Sequence, residues 1–251
     1  MLVAMPLADR WLALGLWVVL SAAGIAAARI DIFPPAGARE AQVADATFRL
    51  LVRLAAPVFA LVVTVLVVTL ARRRGHGDPP PDAVPGPEHP AVPRAWFGLT
   101  AALAAYVIYN PGLVGIHEMR GDPQADLVVR VEATSWYWEA IYPDAGVRSR
   151  ELVLPVGRRV RFEITSRDVL HSFWIPAFRT KVDAVPGLRT VLLVTPTTAG
   201  TSAAHDAYRL QCAELCGTGH DTMRASVRVV DEETFRRWLR GRQRAAGPGR
   251  P

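Results

Sequence analysis

The chain has 251 residues, 51% of them hydrophobic, and 29 Lys and Arg against 23 Asp and Glu give a formal net charge of +6. A mean hydropathy of +0.18 with a pI near 10.0 excludes an ordinary soluble globule. The basic excess does not make a nucleic-acid binder: it gathers in a short loop and in the tail, where six arginines fall in the last sixteen residues, and no basic stripe is interleaved with aromatics.

Three windows carry no charge, Trp11 to Ala28, Leu54 to Ala71 and Trp96 to Ile116, each close to the roughly 20 apolar residues that cross a bilayer. The first follows Arg10 and ends in Ala26-Ala27-Ala28, with a second small-residue stretch at Ala36-Gly37-Ala38. A basic flank, an apolar run and a small-residue exit make residues 1–38 either a signal peptide or an extra transmembrane helix. Arg72-Arg73-Arg74 after the second window marks that loop as cytoplasmic. Residues 39–116 therefore read as a transmembrane hairpin, with helices over about 50–71 and 96–116. Their connection, 72–95, is proline-rich, with seven prolines between residues 75 and 93, and cannot bury a core.

Beyond Ile116 the apolar period falls to two. Leu127, Val129 and Val131 alternate with Val128, Arg130 and Glu132, and Val160, Phe162 and Ile164 alternate with Arg161, Glu163 and Thr165, which predicts strands. Further strands are expected over Glu151–Pro155, Thr190–Thr195, Ala207–Gln211 and Ser226–Val230, separated by Pro-Gly and Thr-rich turns. Residues 117–240 thus predict a small all-β sandwich or barrel. Asp231 can cap a short helix with Phe235, Trp238 and Leu239 on one face, and 241–251 read as a basic tail.

The chemistry concentrates between Cys212 and Met223, where Cys212, Cys216, His220 and Met223 stand within twelve residues. Thiolate, thioether and imidazole together favour copper over magnesium or calcium, and methionine is a habit of electron-transfer copper. Zinc makes little use of methionine. His171, in the segment Asp168-Val169-Leu170-His171-Ser172-Phe173-Trp174-Ile175-Pro176, adds a fifth donor, one too many for a single tetrahedral ion. A disulfide between the cysteines is the competing reading, and it leaves His220 and Met223 unexplained. His76, His89, His117 and His205 have no partner at ligand spacing and read as solvent-facing.

From about Leu50 to Leu239 the chain resembles subunit II of the haem-copper cytochrome c oxidases, through two membrane helices, Trp136-Tyr137-Trp138, the HSFWIP segment and the C-x3-C-x3-H-x2-M loop. The resemblance implies a membrane-anchored all-β protein: a helix hairpin, a cupredoxin-like Greek-key β-sandwich and a short C-terminal helix. It implies two copper ions in a dinuclear centre bridged by Cys212 and Cys216. His171 and Met223 complete one ion, and His220 with the Glu214 carbonyl the other. By the same likeness the Glu214 side chain is similar to a ligand for a magnesium ion shared with subunit I, Trp136 to the point of electron entry, and Tyr137 and Trp138 to its aromatic support. Asp168, Asp183 and Arg189 are candidates for tuning the centre.

The implied partners are subunits I and III, cytochrome c and the lipid of a bacterial inner membrane, with the soluble domain on the periplasmic face and no nucleic acid. The implied role is electron entry to an oxidase whose catalysis belongs to subunit I. With two cysteines and no C-x-x-C-H there is no fused haem domain. A membrane-anchored copper carrier and a quinol-oxidase subunit II are the rival readings, and the second lacks the copper ligands that all stand here. Two residues depart from the family pattern: Ser135 precedes the aromatic run where glutamine is common, and Pro93 occupies the place of a glutamate that feeds a proton channel, with Glu88 too far upstream to replace it. Between Ile116 and Phe235, 16 acidic residues against 14 basic make the surface only weakly acidic, so steering of a basic donor is modest.

Overall fold

The computed structural model describes residues 7–73, 91–120 and 124–246, so most of the proline-rich connection, with His76, Glu88 and His89, and the last five residues of the tail lie outside it. The chain divides into two compact units. One holds the residues up to Ile32 together with Ala46–Ile116, and the other holds Phe33–Asp45 together with the chain from His117 onward.

The first unit is helical, built from α1 (Leu7–Ala27), α2 (Arg39–Arg73) and α3 (Ala91–Val107), with α4 (Val114–Arg120) beginning at its end. Among the described residues three stretches, Leu7–Ala27, Arg39–Arg72 and Pro93–Glu118, are long and apolar enough to cross a membrane. α2 is much longer than its uncharged window, because Arg39, Glu40, Arg49 and Arg53 sit in sequence of good helix propensity and extend the helix past the apolar run. The third span is interrupted at Ile108–Leu113, where Asn110 leaves helical backbone (φ −134°, ψ 111°). Its neighbour Pro111 explains the break, since the pyrrolidine ring disfavours helical backbone in the residue before it.

The second unit is a two-sheet β-sandwich. Its strands are β1 (Leu127–Thr134), β2 (Tyr137–Tyr142), β3 (Val147–Ser149), β4 (Leu152–Pro155), β5 (Val160–Ser166), β6 (His171–Ile175), β7 (Thr180–Ala184), β8 (Thr190–Val194), β9 (Gly200–Thr201), β10 (Arg209–Cys212) and β11 (Arg224–Val230). One sheet runs β3-β2-β1-β5-β8 and the other β4-β11-β10-β6-β7, with β9 pairing β11. The pairs β1/β5 and β4/β11 are parallel and the rest antiparallel. Alternation in β1 and β5 buries Val129, Val131, Phe162 and Ile164 on the inner face. They meet the other sheet through rings such as Phe162 and Phe173, whose centroids are 5.2 Å apart.

The helix α5 (Glu232–Ala246) closes one end of the sandwich. Asp231 caps it, its carboxylate accepting from the Thr234 N–H at 2.8 Å. Phe235 and Trp238 pack on Tyr142, with ring centroids 6.1 and 5.1 Å away. The Tyr142 hydroxyl donates to the Val153 carbonyl at 2.8 Å and accepts from its N–H at 2.9 Å. Burial pushes this phenol above its ordinary pKa, so it stays a neutral donor and ties β2 to β4.

Phe33–Asp45 is a strap bound to the sandwich, whereas hydropathy alone divides the chain at residue 38. The Gly37 N–H donates to Ala177 O at 2.8 Å, and Gly37 O accepts from the Thr197 N–H at 2.9 Å. The half-buried Arg179 guanidinium pairs with Asp45 through Nε–Oδ1 at 3.0 Å and Nη2–Oδ2 at 3.1 Å, and the Glu40 carboxylate accepts from the Thr195 N–H at 3.0 Å. Apolarity marks which residues prefer lipid, but it carries no signal for a polar linker folding back onto a neighbouring sheet.

Candidate metal centre

His171 opens β6, Cys212 ends β10, and Cys212 pairs across the sheet with Phe173. Two residues back along the same face of β6 stands His171, a diagonal cross-strand neighbour within side-chain reach. His171 is itself a strand residue, and it is buried (0% exposed). The remaining donors lie on the connection from β10 to β11, whose ends are clamped: the Cys212 N–H donates to Met223 O at 3.1 Å and the Ala213 N–H to Ser172 O at 3.0 Å. Inside the loop, Gly217 adopts φ +110°, a conformation reserved for glycine. A turn over Gly219–Met223 then brings His220 and Met223 back toward Cys216.

The donors converge. Cys212 Sγ and Cys216 Sγ are 3.7 Å apart, His171 Nδ1 is 3.8 Å from Cys212 Sγ, and His220 Nδ1 is 3.5 Å from Cys216 Sγ. Met223 Sδ lies 3.9 Å from Cys216 Sγ and the Glu214 carbonyl oxygen 3.1 Å from Cys212 Sγ. The ligand atoms of His171, Cys212 and Cys216 all lie within 4.8 Å of one another. His171 and the Glu214 carbonyl thus stand nearer Cys212, and His220 with Met223 nearer Cys216. By these distances the pairing differs from the one the resemblance implies, which sets Met223 with His171 and the Glu214 carbonyl with His220. Both cysteines are free thiols. Burial pushes the Cys216 thiol up to about 12, with the Cys212 thiol beside it adding to the effect, so a bound cation, which takes the proton's place, suits the site better than a bare thiolate. The donor set of two thiols, two imidazoles and a thioether is soft, and it fits copper.

Asp168 holds the buried histidine. Its Oδ1 is 2.9 Å from His171 Nε2, while Oδ2 accepts from the Ser135 N–H at 2.7 Å. Burial raises the Asp168 carboxyl, but hydrogen bonds from Ser135, His171 and Val169 more than offset it and hold the group well below the usual carboxylate range. An ionised Asp168 fixes the His171 proton on Nε2 and leaves Nδ1 free toward the sulfurs. Replacing Asp168 by Asn keeps the size and removes the charge. The copper affinity of the purified chain, titrated against a competing chelator, is then expected to fall about 10- to 100-fold, and an unchanged affinity would remove Asp168 from this role.

The other sequence candidates separate. Arg189 reaches Glu163 at 3.4 Å, and the exposed Asp183 sits opposite Ser172, outside the donor cluster. The Glu214 side chain is exposed and only its carbonyl faces the sulfurs. His117 and His205 are exposed, and His205 Nδ1 accepts from the Ala207 N–H. Trp138 is buried between His171 and Phe173, at 6.2 and 6.0 Å, and Tyr137 lies under Arg150 at 4.5 Å. Trp136 is 41% exposed, and its Nε1–H donates to the Cys216 carbonyl at 3.1 Å. Gly217 and Gly219 form its seat, since a methyl on Gly219 would come within 2.7 Å of Trp136 Cγ and Cε3. Sequence reasoning missed that role for the glycines; the only signal was the Gly-Thr-Gly spacing between Cys216 and His220.

Residues 145–230 match the family model for the periplasmic domain of cytochrome c oxidase subunit II. The cytochrome c oxidase subunit 2 of Thermostichus vulcanus is 41% identical over 147 residues, covering 59% of this chain and 42% of that protein. The chain thus spans under half the length of that relative. The alternative cytochrome c oxidase subunit 2 of Bradyrhizobium diazoefficiens is 27% identical over 220 residues, covering 75% of this chain and 77% of that one. The crystal structure of the periplasmic domain of cytochrome oxidase subunit II from Bradyrhizobium japonicum is 30% identical, with a TM-score of 0.45 over 49% of this chain and 97% of that domain. The five soft donors, His171, Cys212, Cys216, His220 and Met223, all fall within the segment 145–230, and that segment belongs to the periplasmic-domain family of cytochrome c oxidase subunit II.

Proposed function

We propose that the chain is the electron-entry subunit of an aerobic cytochrome c oxidase. It takes electrons from cytochrome c at a dinuclear copper centre and passes them to the haem groups of subunit I, where oxygen is reduced to water. The observation that carries this reading is the convergence of two thiols, two imidazoles and a thioether on one buried site. Bound copper supplies one-electron redox chemistry. The chain's own residues hold the donors still: the clamp between Cys212 and Met223 fixes the loop, Asp168 orients His171, and Trp138 with Phe173 keeps water from one wall. Trp136 connects the surface to the Cys216 carbonyl.

By the same reading the protein sits in a bacterial inner membrane with the sandwich on the periplasmic face. It assembles with subunits I and III in lipid, and the exposed Glu214 carboxylate offers a ligand to a magnesium ion shared with subunit I. The test is a copper count with an electron paramagnetic resonance spectrum on the full chain, purified in detergent and loaded with copper. Two coppers per chain with one electron split over both nuclei is the expected result. A single, mononuclear copper that a weak chelator strips would overturn it in favour of a copper carrier.

A further inference from the structure

We propose that α1 is not removed as a leader but stays in the mature protein as a third membrane span packed along α2. The sequence leaves both fates open, and three independent observations favour retention.

The first is a set of contacts along the pair, in which Asp9–Arg72, Gly24–Ala56 and Asp31–Arg49 keep one antiparallel register and the long Trp17 side chain reaches across it. At one end Asp9 pairs with Arg72 at 3.0 Å. In the middle the Trp17 indole donates to the Pro57 carbonyl at 2.9 Å. Further along, Gly24 lies so close to Ala56 that a methyl at Gly24 would stand 2.8 Å from Ala56 Cβ, and at the other end Asp31 pairs with Arg49 at 3.0 Å. In lipid there is no hydrophobic drive between helices, and small residues that let backbones approach, with polar side chains that bond across, hold them together. Ala13, Ser21 and Ala28 on α1 and its final turn are buried, as are Ala60 and Thr64 on α2. The apolar window of the third span is 0% buried, so α1 is the cover for that face of α2. A leader removed at either exit would take away the Trp17 donor to the Pro57 carbonyl and the cover over Ala60 and Thr64, and one removed at the second exit would also take Asp31 from Arg49.

The second observation is that both small-residue exits are closed. Ala26 to Ala28 stay in helical and turn hydrogen bonds, the Ala28 N–H on Gly24 O and the Arg29 N–H on Ala26 O. Ala36-Gly37-Ala38 belongs to the strap, where both backbone polar groups of Gly37 are engaged by the sandwich and Ala38 has no exposed surface. The third is length. The apolar core of a removable leader runs about 7–15 residues, whereas the uncharged window Trp11 to Ala28 carries 18, close to the length of a full crossing. The exposed Trp11, Leu12, Val18, Val19 and Ile25 then face lipid.

The experiment is the intact mass of the full chain, carrying a C-terminal tag and purified from bacterial membranes. It is run beside a variant in which Ala26→Leu and Ala28→Leu block the first exit. Both are expected to keep α1, the wild type matching the 27.3 kDa of the whole chain plus the tag. A wild type that begins at Arg29 or at Arg39, shorter than its variant in the first case, would overturn the proposal. Neither outcome depends on the metal, so a failure here leaves the electron-transfer reading standing.

Discussion

Cys212→Ser and Cys216→Ser are each expected to abolish the dinuclear copper signature, lowering copper from two per chain to one or fewer. Serine reproduces the size of cysteine, but its hydroxyl is a hard, neutral donor that does not bind copper as a thiolate does. The remaining donors then make one mononuclear set, which differs between the two variants. Without Cys216 the set lacks the sulfur that stands beside His220 and Met223. Without Cys212 the loss falls on His171 and the Glu214 carbonyl. The fold should survive, because the clamp that closes the loop runs through the Cys212 and Ala213 backbones and involves neither sulfur. Thermal unfolding of the metal-free variants should therefore match the parent. Copper content by atomic emission and the optical spectrum check the main effect, and an unchanged value of both would remove these cysteines from the centre.

Much of this was legible because period-two alternation is a strong signal wherever one face of a strand is buried. Residues of β1 and β5 show it, and both strands appear within a residue or two of their predicted ends. β6 was invisible for the opposite reason: His171, Ser172 and Phe173 are buried in succession, so no alternation marks them. The donors on the β10–β11 connection were legible because the metal dictates both residue type and spacing. Ser135 and the glycines under Trp136 act through backbone positions that only the folded chain brings together, and Asp168, legible as a tuning candidate, finds its partners His171 and Ser135 only there. The strap escaped for the same reason. Its partners, Thr195, Thr197, Ala177 and Arg179, lie far away in sequence, and its own residues look like a polar linker.

Gly219→Ala is expected to slow electron entry from reduced cytochrome c by roughly 10- to 100-fold while leaving the copper spectrum unchanged, and Trp136→Phe should do the same. The indole rests on the backbone of Gly217 and Gly219, and its Nε1–H reaches the Cys216 carbonyl. A methyl at Gly219 meets three ring atoms well inside contact distance, so the ring must leave its seat and the hydrogen bond must stretch or break. Displacements of about 1 Å at a reacting group commonly cost this much in rate. The alanine keeps Trp136 itself, so a slow variant cannot be ascribed to loss of the aromatic surface on which a donor docks. Phenylalanine keeps a ring but has no N–H, which isolates the link to Cys216. Stopped-flow reduction of the copper-loaded oxidase separates the two effects: a docking fault raises the donor concentration needed for half-maximal rate, whereas a broken link lowers the maximal rate itself. If Gly219→Ala reacted at the parent rate at saturating donor, the indole would be a packing residue and electrons would enter the centre by another face.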